Sequence, residues 1–157
     1  MTTTSIDPRE AAGKIGKGAI MGGVIPYLSL GSDATEAIKF YEKAFDANLV
    51  DEPARGEDGK ILNATLAING GAFMLMDHPS GIDATPACAS QGLLLQLVVA
   101  DGDLWWNRAI DAGCKSTDAF GVKFWGDRYG RLLDPLGQEW AILEPSPERR
   151  NPGVQTQ

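Results

Sequence analysis

Few residues in this sequence could move a proton or hold a metal, and that scarcity decides much of its reading. The chain of 157 residues carries one histidine, His78, and two cysteines, Cys88 and Cys114. An imidazole exchanges protons near neutral pH, so His78 is a weak candidate for a general base. A lone histidine beside Pro79 in a loop more often packs or meets solvent. Neither cysteine has a basic neighbour close in sequence to make it a strong nucleophile. The acidic pairs Asp51-Glu52, Glu57-Asp58 and Asp101/Asp103 fall in loops or at helix starts, where solvation and capping are the ordinary roles. Glu139 and Glu144 are the remaining acid–base candidates. A hard or borderline divalent ion takes three or four ligands from His, Glu and Asp, converging from neighbouring strands. One histidine rules out any two-histidine site within a single chain, so the expectation is no metal and no cofactor.

Binding is better supported than catalysis. Trp125, Asp127 and Arg128 could form a lid, with the indole as an aromatic wall and the guanidinium as a fork for a carboxylate or phosphate. The alternative is an Asp127–Arg128 pair that fixes a turn while Trp125 plugs the mouth of a sheet. Period-two alternation groups Asn63 with Thr65, Leu94 with Gln96 and Val98, and Met74 with Met76. On that register Asn63 and Gln96 are isolated polar groups on an otherwise apolar surface, the usual make-up of a small-molecule site. Tyr27, Asn63, Met74, Gln96 and Trp125 are expected to share a cavity, with Arg128 at its rim.

The elements that must position these residues repeat. Strand Val24–Leu30 precedes a helix capped by Asp33, with Ala34, Ala37, Ile38, Tyr41, Ala44 and Phe45 on one face. A short strand at Asn48–Glu52 and a hairpin of Ile61–Ile68 with Ala72–Met76 around Asn69-Gly70-Gly71 complete one module. After a connector at His78–Gln91, strand Leu93–Val99 leads to a helix capped by Asp101 and ended by Gly113. Strands at Cys114–Thr117, near Val122–Phe124, at Arg131–Asp134 and at Glu139–Leu143 follow. The last two are joined by a type I turn at Asp134-Pro135-Leu136-Gly137. The pattern is βαβββ twice, an α+β fold of two modules forming a curved mixed sheet. The modules span about 23–77 and 92–145, with an N-terminal arm at 1–22 and a tail at 146–157. Trp105 and Trp106 cannot both face the core, which leaves one for a subunit contact. Uncovered sheet edges and too little core in each half call for pairing of modules, within one chain or in a homodimer.

Composition excludes several partners. The sequence is 43% hydrophobic and 22% charged, with a formal net charge of −7. That charge disfavours nucleic acid, which needs clustered Lys and Arg, and acidic membrane surfaces. No apolar run is long enough to span a bilayer, and the N-terminus lacks a basic region followed by an apolar core, so a cytoplasmic location is expected. The cysteines then read as reduced thiols.

The Trp125-Gly126-Asp127-Arg128 run with Asp134-Pro135-Leu136-Gly137 resembles the C-terminal end of the PhnB-like branch of the vicinal-oxygen-chelate superfamily, which includes glyoxalases and bleomycin-resistance proteins. Pro26-Tyr27-Leu28, Phe40-Tyr41-Glu42-Lys43-Ala44-Phe45, Trp105-Trp106 and Ala112-Gly113 extend the resemblance over roughly 23–145. It implies the twofold βαβββ fold and, in many members, a metal. The glyoxalase ligand positions fall at Pro26 or Tyr27, Met74, Leu94 and Ala141, and Asn63 and Gln138 also depart from the histidines common in this branch. The resemblance thus implies a metal-free small-molecule binding protein of bleomycin-resistance type, holding a hydrophobic or aromatic ligand. The second reading is a metal-independent lyase, isomerase or transferase-like enzyme working in the same pocket, and a third is a structural dimer without ligand.

Overall fold

The computed structural model describes residues 22–31, 33–78 and 92–149. Most of the expected N-terminal arm, most of the connector with Cys88, and the end of the tail lie outside the described residues.

The first module comprises β1 (Tyr27–Leu30), α1 (Ala34–Phe45), β2 (Asn48–Leu49), β3 (Ala54–Arg55), β4 (Ile61–Ile68) and β5 (Gly71–Asp77). The second comprises β6 (Leu94–Val98), α2 (Gly102–Ala112), β7 (Lys115–Val122), β8 (Arg128–Leu133) and β9 (Glu139–Glu144). Each module builds its own mixed sheet. The strand orders are β1-β5-β4-β2, with β3 also on β4, and β6-β9-β8-β7. In each, the first strand runs parallel to the last strand of its own module. That pairing needs a crossover, and the helix supplies it.

Both helices begin where an aspartate can serve free N–H groups. Asp33 accepts from the Thr35 N–H at 2.7 Å, and Asp101 from the Leu104 N–H at 3.1 Å. α1 ends at Asp46 and α2 at Gly113, each left-handed, with φ of 53° and 117°. The six residues expected on the inner face of α1 are all buried.

The final hairpin differs from expectation at its start. β7 runs unbroken through Val122, with register shifts, and β8 begins at Arg128. Phe124 to Asp127 is therefore the tight β7–β8 turn itself, with Gly126 at φ 98°.

The helices pack against one another and cover one face of each sheet, so a single apolar cluster spans both modules. Its centre is aromatic. Phe45 and Trp140 lie 4.7 Å apart, and Tyr41 meets Phe73 edge-on at 5.1 Å. Into this centre projects Asp134, a buried carboxylate with four donors. One oxygen accepts from the Leu136 and Gln138 N–H groups of its own turn, both at 2.9 Å. The other accepts from the Tyr41 hydroxyl at 2.7 Å and the Trp140 indole N–H at 2.9 Å. A buried carboxylate is tolerable only when so fully served. Burial, followed by the adjacent Asp134 charge, raises the Tyr41 pKa well above the phenol range.

Trp105 and Trp106 are both half-buried against the cluster. Arg108 covers Trp105, its guanidinium carbon 4.6 Å from the ring centre, while Trp106 stacks on Phe120. Each indole keeps part of its surface in solvent. Among the described residues no helix is long and apolar enough to cross a membrane.

Candidate functional site

Helices cover one side of each sheet, and the side chains on the other side face outward. Alternation is plain in β6, where Leu97 is buried and its neighbours Gln96 and Val98 are exposed, Val98 by 49%. In the first module the helix-free face carries Tyr27, Ser29, Asn63, Thr65, Met74 and Met76, by strand parity and register. Its central row is Tyr27–Met74–Thr65, direct neighbours across three strands. Tyr27 is 42% exposed, and its hydroxyl donates to the Leu62 carbonyl at 2.8 Å, laying the ring over the sheet.

The second module repeats this arrangement with other residues. Asp77 and Glu144 end the last strands and play equivalent parts. Asp77 accepts from the Ala34 N–H at the start of α1 and from the Ile61 N–H; Glu144 accepts from the Gly102 N–H at the start of α2. Counting back from these two carboxylates, Met74 corresponds to Ala141. Ala141 pairs with Gln96 on one side and Arg131 on the other. The second central row is therefore Gln96–Ala141–Arg131, the counterpart of Tyr27–Met74–Thr65. The two rows share a further property. The Thr65 hydroxyl and the Arg131 Nε, at corresponding positions, are buried polar atoms with no hydrogen-bond partner among the described residues. Arg131 contributes one terminal nitrogen to an ion pair with Glu139.

The expected constellation is thus partly assembled. Tyr27, Asn63 and Met74 lie on one helix-free face and Gln96 on the other. Gln96 is exposed, so within one chain they do not close a common cavity. A groove of about 200 Å³ at the seam between modules is lined by Pro26, Ala72, Leu95 and Trp140 among others, and of the expected set it includes Gln96 alone. Trp125 is 42% exposed and meets Tyr129 edge-on at 5.7 Å, which sets it at the far end of the second sheet.

Arg128 is a correction. It lies on the helix side, bonded to Glu144 at 3.0 Å and Asp103 at 2.6 Å, with its guanidinium 4.6 Å from the Phe120 ring centre. The hydrogen bond from Arg128 holds the Asp103 carboxyl below its usual range. Asp127 does not hold Arg128. Its carboxylate accepts from the Ser146 N–H at 2.9 Å and pairs with Arg149. Adjacent residues at the head of a strand point to opposite faces, so Asp127 and Arg128 diverge.

His78 follows β5 on the helix-free side of the first sheet. Its Nδ1 lies 3.0 Å from the Ser29 hydroxyl, and its backbone N–H donates to the Leu30 carbonyl. Glu139 stands beside Arg131 on the other sheet, so His78 lies in a different module from Glu139 and Glu144. Sequence reasoning passed over Arg131 and Ser29. The alternation of Gly130 and Leu132 with Tyr129 and Arg131 was the signal for the first.

The family model for the glyoxalase/bleomycin resistance protein/dioxygenase superfamily matches residues 25–142, both modules together. The chain belongs to that superfamily. An uncharacterised protein of Mycobacterium tuberculosis, Rv0887c, is 37% identical over 131 residues, covering 76% of this chain and 72% of its own. Among solved structures, TioX from Micromonospora sp. ML1 aligns with a TM-score of 0.59 at 25% identity, over 80% of this chain and 97% of that one. The PhnB protein of Bacillus cereus gives 0.58 at 20% identity, over 79% of this chain and 100% of that one. The superfamily fold and its PhnB-like neighbours agree with the resemblance in the sequence.

Membership raises the question of a metal. The register shows which of the positions implied by the resemblance are neighbours. Leu94 pairs with Glu139, and the residue beside Ala141 is Gln96. The paired positions Tyr27–Met74 and Gln96–Ala141 offer a phenol already bonded to a carbonyl, a thioether, one amide and a methyl group, and Leu94 adds only an alkyl side chain. Such a donor set does not fit a hard or borderline divalent ion. Among the described residues no cluster of three or more His, Cys, Asp or Glu could hold one elsewhere.

Proposed function

We propose that the protein is a metal-free small-molecule binder of the bleomycin-resistance type, taking a hydrophobic or aromatic ligand on its helix-free sheet faces. The observation that carries this reading is the pair of central rows. Where the resemblance implies metal ligands they carry Tyr27, Met74 and Ala141, with Leu94 and Gln96 on the strand beside Ala141, which is apolar ground with sparse polar groups. Binding sites have this composition, and coordination spheres do not. The half-exposed faces also favour a homodimer, in which a second copy covers them and closes the cavity that one chain leaves open.

The test is a thermal-shift screen of apolar and aromatic small molecules with and without a chelator. A ligand that binds the native state alone raises its stability by mass action, and here the rise should be indifferent to chelation. About one tightly held Zn, Ni, Mn or Fe per chain in elemental analysis would overturn the metal-free reading. A monomer mass by light scattering at micromolar concentration would remove the dimer.

A further inference from the structure

The central row of the second sheet carries more donors than acceptors. A guanidinium offers five N–H donors, and among the described residues the one acceptor at Arg131 is Glu139. Its Nε is shielded and unpartnered. The acidic residue opposite it on β7, Asp118, is engaged elsewhere, by the Lys123 ammonium at 2.7 Å and 44% exposed. Gln96, across Ala141 from Arg131, brings an amide with no hydrogen bond among the described residues. Ala141 between them has only a methyl group, so nothing rises from the strand to separate guanidinium from amide. Along the same face Leu94, Val98 and Leu143 supply apolar ground by strand parity.

We propose that this face reads a carboxylate, with Arg131 as the cationic anchor, Gln96 as a second donor, and the apolar strand residues holding the ligand's hydrocarbon body. The assignment rests on the small-molecule reading above and narrows it to organic anions. Glu139 enters as a competitor: it occupies one edge of the guanidinium and sets the affinity low enough for release. A ligand carboxylate is drawn to the free edge, where charge-assisted hydrogen bonds outweigh those of a neutral amide.

The experiment compares indoleacetate, indoleacetamide and inorganic phosphate, followed by amide chemical shifts at Gln96 and Ala141 and by Trp fluorescence. Indoleacetate is expected to bind about tenfold or more tightly than the amide, the difference a charge-assisted contact supplies. Phosphate should not displace it at equal concentration. Arg131→Met should abolish the preference while leaving the weak amide binding, and Arg131→Lys should restore part of it. Glu139→Gln should tighten indoleacetate several-fold by freeing the guanidinium, which also serves if Arg131→Met fails to fold. Equal binding of acid and amide, unaffected by Arg131→Met, overturns the anion assignment and leaves the binding site standing. Weaker binding in Glu139→Gln also overturns it, as does displacement by phosphate. No shift at Gln96 or Ala141 with any probe sinks the site and the anion together.

Discussion

In the first module the helix-free row reads Tyr27–Met74–Thr65, and in the second Gln96–Ala141–Arg131. Beneath these rows the modules agree. An aspartate caps each helix, and a carboxylate at the end of the last strand holds the helix's first N–H, Asp77 in one and Glu144 in the other. Positions serving backbone groups keep their chemistry because the backbone makes the same demand twice. Positions on the open faces carry no such demand and have diverged, one row uncharged and the other ionic. Divergence between modules therefore points to the specialised surface.

The largest expected effect tests what joins the modules. Asp134 belongs to the second, yet it accepts from Tyr41 of the first. Asp134→Ala strips four donors of their acceptor and should cost on the order of 4 kcal/mol in urea unfolding, or abolish folding. A loss below about 1 kcal/mol would mean that the seam is held by apolar packing alone.

Next comes a position where the modules differ by one methyl group. Gly130 corresponds to Ala64, and a Cβ at Gly130 would come within 2.7 Å of the Phe120 backbone and the Trp106 ring. Gly130→Ala should cost about 1–3 kcal/mol by overpacking, and Ala64→Gly less, about 1 kcal/mol. Equal costs would show that the second module yields as readily as the first.

The two strand-end carboxylates give a smaller contrast. Asp77→Ala leaves two backbone N–H groups unserved, about 1–2 kcal/mol. Glu144→Ala should cost less, because Arg128 retains Asp103. Thermal unfolding of the pair decides the order.

The smallest effect is alkaline. Burial, then the nearby Asp134 charge, pushes the Cys114 thiol from 9.0 up to about 12. Its native pKa is raised, so its contribution to stability is complete below pH 9 and is lost as pH climbs toward 12. Tyr41, also raised, acts in the same direction at the upper end. Cys114→Ala should flatten the early part of that decline, and native Cys114 should react slowly with thiol reagents at pH 8.

Much of the frame was legible in the sequence. Asp33 and Asp101 marked the helix starts because a cap requires a specific side chain at a specific place. The hairpin at Asn69-Gly70 was visible because few residues accept positive φ, and Asn69 does at 46°. What escaped was direction. Starting β8 at Arg131 instead of Arg128 hid the strand parity that turns Arg128 toward the helix. The position beside Ala141 is Gln96, two residues along from Leu94, so the face is kept and the neighbour changes. A strand's period of two makes each such slip an exchange of faces or neighbours.

The hydrogen bond between Tyr41 and Asp134 spans 93 positions of sequence. Ribosomal synthesis delivers the phenol 93 residues before its acceptor. Until the final hairpin emerges, water must serve that hydroxyl, and the aromatic centre also lacks Trp140. Contacts of such long range close slowly. The first module therefore waits, with its central face unsealed, for the last strands of the domain, and the domain completes its fold as a unit once they emerge.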